Sequence, residues 1–106
     1  IPSSTQDDGN SGIPTKTYLG QNFPNPFNAQ TTFTYSISSP GPVKIEIYDM
    51  RGRHIKTLLN SELSIGKYQV HWNGTNAHGL PAASGIYYCR MQSAESSYVK
   101  KLMLLK

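Results

Sequence analysis

The chain has 106 residues, room for one domain of ordinary size and no second lobe to frame a deep cleft. Charged residues are 15% against a usual ~25%, while nine Gly, seven Pro and seven Tyr make the chain rich in turns and aromatics. This balance excludes a helical bundle, a coiled coil and an acidic tail, and it fits an all-β domain. The formal net charge is +4. The cations are scattered, apart from Arg51 with Arg53 and Lys100 with Lys101, so no nucleic-acid partner is expected.

Residues 1–17 are rich in Ser, Thr, Gly, Pro and Asp, with almost nothing to bury, and read as a flexible linker from a preceding domain. Asp7 to Gly12 lacks the later ligands of a calcium loop. The domain is expected over 18–106. In Gly20-Gln21-Asn22-Phe23-Pro24-Asn25-Pro26-Phe27-Asn28 the two prolines forbid a helix, and the segment is expected to be a lid that buries both Phe23 and Phe27. Period-two alternation then begins. Thr31–Ser38 points Phe33, Tyr35 and Ile37 to one side. After a turn at Pro40-Gly41-Pro42, Val43–Asp49 points Val43, Ile45 and Ile47 inward and Lys44, Glu46 and Tyr48 to solvent. Met50–Arg53 is a hairpin turn with a positive φ at Gly52. His54–Asn60 returns, and a loop follows over Glu62–Gly66. Lys67–Asn73 points Tyr68, Val70 and Trp72 inward. Asn73–Ser84 is a long polar connection. Gly85–Ser93 and Tyr98–Leu105 form a closing hairpin, and apolar residues on both faces of the last strand suggest that it is central or covered. About seven short strands with regularly spaced turns are the pattern of an immunoglobulin-like antiparallel β-sandwich, with Trp72 as its core anchor.

Little in this chain points to catalysis. His54, His71 and His78 have no metal-ligand spacing, and the single cysteine, Cys89, alternates inward as an inert thiol. The acids form no pair suited to glycoside hydrolysis. Asp49 reads as a turn residue, and Asn73-Gly74-Thr75 as a Gly turn although it matches a glycosylation sequon. No phosphate-binding loop, nucleophile elbow or dinucleotide fingerprint occurs, so no catalytic residue, metal or cofactor is expected. No apolar run reaches the ~18 residues of a membrane helix. Ile1 reads as a cut point inside a longer protein. The competing binding reading is a sugar platform built from Tyr48, Tyr88 and Tyr98, since aromatic faces take sugar rings well only when they are exposed together.

Two stretches carry a family resemblance. Gln21-Asn22-Phe23-Pro24-Asn25-Pro26-Phe27-Asn28 with the strand after it, and Val43–Arg53, resemble the C-terminal sorting domain, type A, of the type IX (Por) secretion system. Trp72-Asn73-Gly74 through Gly79 and Ala83-Ser84-Gly85-Ile86-Tyr87-Tyr88 resemble the related Ig-like domain of the flagellar hook-capping protein. Lys100-Lys101-Leu102-Met103-Leu104-Leu105-Lys106 is similar to the sorting domain's terminal motif. Asn73 stands where the family has Asp, and Cys89 where an aromatic is common. The resemblance implies a non-catalytic targeting module for a larger secreted or cell-surface cargo in a Bacteroidota-like bacterium. Such a module passes through the periplasm and is exported across the outer membrane. It implies a translocon, a shuttle protein and a sortase-like peptidase as partners, with the cut falling within residues 1–17. Lys100, Lys101, Leu102, Met103, Leu104, Leu105 and Lys106 would be read by the translocon. Asn22, Pro24, Asn25, Pro26, Phe27, Asn28, Trp72, Gly74, Gly79, Ser84, Gly85 and Tyr87 would be structural. A sugar-binding or purely structural accessory module of a secreted hydrolase is the alternative.

Overall fold

The computed structural model describes residues 13–106, and all its regular secondary structure is β. In chain order the strands are β1 (Tyr18–Leu19), β2 (Thr31–Ile37), β3 (Gly41–Asp49), β4 (His54–Leu63), β5 (Gly66–Trp72), β6 (Gly85–Gln92) and β7 (Ser97–Leu104). They form a three-stranded sheet in the order β1-β2-β5 and a four-stranded sheet in the order β4-β3-β6-β7. All neighbours within the sheets are antiparallel. This is the expected immunoglobulin-like sandwich.

The alternation read from the sequence sets the core. Phe33, Tyr35 and Ile37 of β2 face Val43, Ile45 and Ile47 of β3, and all six are buried. Trp72 ends β5 at 1% exposure. Its ring meets Tyr87 edge-on at 5.1 Å and Phe27 at 5.5 Å, while its indole N–H donates to Thr75 O. The buried ring therefore leaves no polar atom unpaired. Cys89 is fully buried, and burial pushes its thiol up to about 12. The hairpin after β3 turns at Gly52, φ 82°. Asp49 fastens that turn by accepting from the Arg51 and Arg53 amides and pairing with the Arg53 guanidinium at 2.9 Å. Both β4 and β5 extend into the expected loop, leaving only Ser64 and Ile65 between them.

The packed region reaches back before Tyr18. Thr17 is buried and tied to Ser38 and Glu95, and Lys16 O accepts from Ser36. Residues 1–12 of the expected linker over 1–17 lie outside the described residues.

Three expectations need correction. The last strand is not central, because β7 is an edge of the larger sheet. Of its apolar outer side chains only Met103 is half-buried, while Val99 and Leu105 are exposed. Phe23 is 80% exposed and is not a buried lid ring. Its backbone exchanges hydrogen bonds with Thr32, whereas that of Phe27 bonds to β7, and only Phe27 is turned into the sandwich. Glu46 does lie on the outer face, as alternation requires, but it is 6% exposed rather than solvated. Side chains from three strands close over it.

Candidate functional site

The sequence-marked terminal motif does not form one surface. Register with Tyr87 and Gly85 turns Leu102 and Leu104 inward, where they are 1% and 0% exposed. Lys100 pairs with Cys89 and shares their side of the strand, whereas Lys101 and Met103 pair with Tyr88 and Ile86 on the outer face. Leu105 and Lys106 follow the strand and are exposed. A partner could therefore touch Lys101, Met103, Leu105 and Lys106 without unfolding the domain. It could not reach Leu102 or Leu104.

The other sequence-marked motif lies directly against this strand. Phe27 makes a parallel bridge to Leu104. Its N–H donates to Met103 O at 3.0 Å, and its carbonyl accepts from Leu105 N–H at 2.8 Å. Asn25 Oδ1 accepts from Met103 N–H at 3.0 Å, and Gln21 Nε2 donates to Lys101 O at 2.9 Å. Asn22 is buried and shapes the segment from beneath. Its amide donates to Thr31 Oγ1 and Pro24 O, and Thr31 donates to the same carbonyl. The peptide bonds before Pro24 and Pro26 are both cis. Asn28 is exposed at the end of the segment.

The remaining motif residues build the floor of this end of the sandwich. Gly74, φ 75°, lies beneath Leu104 and Phe27, and its carbonyl accepts from Ala82. Gly79 closes the turn begun by Asn76. Ser84 Oγ accepts from Lys106 N–H at 2.9 Å, which anchors the residue after the strand. Tyr87 donates its hydroxyl to Ala83 O and packs on Trp72. Gly85 opens β6 opposite Leu104.

The outer face of the larger sheet carries a polar network that period-two reading alone did not reveal. Glu46 accepts from Tyr48 Oη at 2.8 Å and pairs with His54 at 3.3 Å, Arg90 at 3.5 Å and Lys44 at 3.7 Å. Arg90 donates to Tyr48 Oη and lies 5.0 Å from that ring's centre. Burial pushes the Glu46 carboxyl upward, but the hydrogen bonds from Tyr48 and Arg90 and the charges of Lys44 and His54 together hold it below its ordinary 4.5. The alternation of Lys44, Glu46 and Tyr48 was visible in the sequence. That Arg90 lies opposite Glu46 requires knowing that β3 pairs with β6.

Of the three tyrosines marked for a platform, Tyr48 and Tyr88 are direct cross-strand neighbours. Tyr98 pairs with buried Met91 and packs against the core, so it does not join them. Tyr48, Tyr88, Arg90, Val99 and Met50 line an open depression of about 340 Å³. Among the described residues, no group of three or more His, Cys, Asp or Glu could hold a metal ion. His54, His71 and His78 are all exposed.

Residues 24–97 match the FlgD Ig-like domain family. The chain belongs to that family. No curated protein matches it. Among solved structures, this FlgD Ig-like domain resembles dimeric latent PorU from Porphyromonas gingivalis, with a TM-score of 0.63 and 24% identity. It also resembles PorZ of the same organism, described as an essential bacterial surface component of the type-IX secretion system, with a TM-score of 0.51 and 22% identity. The alignments cover 92% and 85% of this chain but only 10% and 11% of those proteins. At these identities the likeness establishes the fold.

Proposed function

We propose that this FlgD Ig-like domain is a non-catalytic sorting module. It directs a larger secreted or surface protein through a type IX secretion system in a Bacteroidota-like bacterium. The observation that carries the reading is the placement of β7. The strand bearing the terminal motif is a sheet edge, with Lys101 and Met103 on its outer face and Leu105 and Lys106 beyond it. Leu102 and Leu104 hold the same strand to the core. A strand with one side anchored and the other presented suits recognition through alternate side chains. The fold likeness to PorU and PorZ supports the setting, and the Pro-Asn-Pro opening supports the sorting type over the hook-cap type. The translocon, shuttle protein and sortase-like peptidase are the proposed partners, with the cut in the residues before the domain.

Deleting Lys100–Lys106 would remove two core leucines and so would confound recognition with unfolding. The cleaner experiment fuses residues 1–106 to a periplasm-directed reporter in a bacterium with the secretion system. It then compares the parent with Lys101→Glu/Leu105→Glu/Lys106→Glu. Retained folding with loss of the extracellular reporter is the expected result. Full export by the folded variant would refute recognition through this strand.

The Tyr48–Tyr88 pair beside Arg90 favours sugar binding as a second reading. Retardation of the domain in a polysaccharide gel, abolished by Tyr88→Ala, would support it.

A further inference from the structure

The edge of β7 is already satisfied as though a parallel strand lay beside it, although no complete strand does. In a regular parallel pair, alternate residues of the added strand each give one N–H and take one N–H. Phe27 does this with its own backbone toward Met103 and Leu105. Two residues earlier, continuous backbone at position 25 would give its N–H to Lys101 O and accept from Met103 N–H. Here those two bonds are made by substitutes, the Gln21 side-chain amide and the Asn25 side-chain oxygen. The prolines on either side of Asn25 explain the need for substitutes, since each locks φ at about −65°, away from the roughly −120° of a parallel strand, so the backbone between them does not run on as a regular strand. Further along, the edge continues through Lys101 N–H and Val99, beyond which the sheet has no strand among the described residues.

From this we propose that the β7 edge is a binding site for an extended peptide strand of a partner, added in parallel and displacing the Asn25–Phe27 strap. The site also specifies side chains. At the Phe27 position, an aromatic ring fills the space against Trp72, Leu104 and Gly74. One residue earlier, an outward side chain meets a depression of about 220 Å³ lined by Ile86, Lys101 and Met103. Two residues before that, an outward acid would meet Lys101, which is exposed and has no carboxylate partner among the described residues. The incoming strand would replace the side-chain substitutes with main-chain bonds and gain an ion pair. The resident strap competes through its tether, which gives it a high effective concentration. This deepens the sorting reading by naming how the strand is read, but the peptide test needs no secretion machinery.

The probe is a fluorescein-labelled peptide copying residues 21–28, with Glu in place of Pro24 and Val in place of Pro26. Its binding to the full chain is followed by fluorescence anisotropy and by the amide NMR signals of Met103 and Leu105. A control peptide keeps both prolines. Three outcomes are expected. The proline-free peptide binds at least about tenfold more tightly than the control. It binds the Phe27→Ala chain about tenfold more tightly than the parent, because the resident ring no longer competes. It binds the Asn25→Ala chain, whose core is intact, severalfold more tightly. Equal affinity for the two peptides overturns the proposal, as does equal affinity for the parent and Asn25→Ala chains. Asn25→Ala decides the matter if Phe27→Ala fails to fold. Export lost on altering Lys101, Leu105 and Lys106 while no peptide binds would leave sorting standing and strand addition refuted. Peptide binding with unaffected export would do the reverse.

Discussion

Glu46 is a carboxylate enclosed by Tyr48, Arg90, His54 and Lys44, and what it contributes depends on those partners staying in place. Removing it leaves Arg90 and the Tyr48 hydroxyl short of an acceptor, so Glu46→Ala should cost about 1–3 kcal/mol in urea unfolding. The pH dependence has a definite sign. The folded-state value of Glu46 lies below its ordinary 4.5, so its stabilisation is complete above that pH and fades as acid protonates it in the fold. Asp49, held down first by the Arg53 amide, acts in the same direction below its ordinary 3.8. The parent should therefore lose melting temperature on acidification below the ordinary Glu46 value. Glu46→Gln should show a shallower loss, and parallel melting curves for the two proteins would contradict this assignment. Cys89 supplies a second residue-scale test. With its thiol raised to about 12 and its side chain fully buried, it should not react with a disulfide reagent until the protein unfolds. Rapid labelling of the native protein would show that the core is open.

At the level of elements, the Asn22–Asn28 segment and β7 behave as one structural unit. Phe27 plugs the end of the sandwich at 3% exposure. Phe27→Ala should cost about 3–5 kcal/mol and speed hydrogen exchange at the Met103 and Leu105 amides more than at the β2 amides. Gly74→Ala should cost about 1–2 kcal/mol through its left-handed backbone, since an added Cβ would meet Leu104 only at an ordinary 3.5 Å. The strands themselves were legible in the sequence. Alternation of Phe33, Tyr35, Ile37, Val43, Ile45, Ile47 and Trp72 with polar residues is a local signal, and each faces inward as read. The strand order was not legible in the same way, because pairing β3 with β6 and leaving β7 at an edge are long-range choices. The errors follow from this. Phe23 and Phe27 look equivalent in a Pro-Asn-Pro frame, but one is bonded to β2 and the other to β7. Glu46 looks solvated until Arg90 is known to lie beside it, and Tyr98 looks exposed until it is paired with Met91.

Across the whole molecule, the sandwich carries the terminal motif on an edge strand of its larger sheet. The terminal motif was readable as a family resemblance, but its division into buried Leu102 and Leu104 and accessible Lys101, Met103, Leu105 and Lys106 required the sheet register. That division separates recognition from stability, which a truncation cannot do. The most direct measurement is the extracellular fraction of a reporter carrying residues 1–106, in the parent, in Lys101→Glu/Leu105→Glu/Lys106→Glu and in Glu46→Gln, with each domain's folding checked by circular dichroism. The expected result is export by the parent and by Glu46→Gln, and periplasmic retention of the folded triple variant. Equal export by all three folded proteins would contradict a role for β7 in sorting.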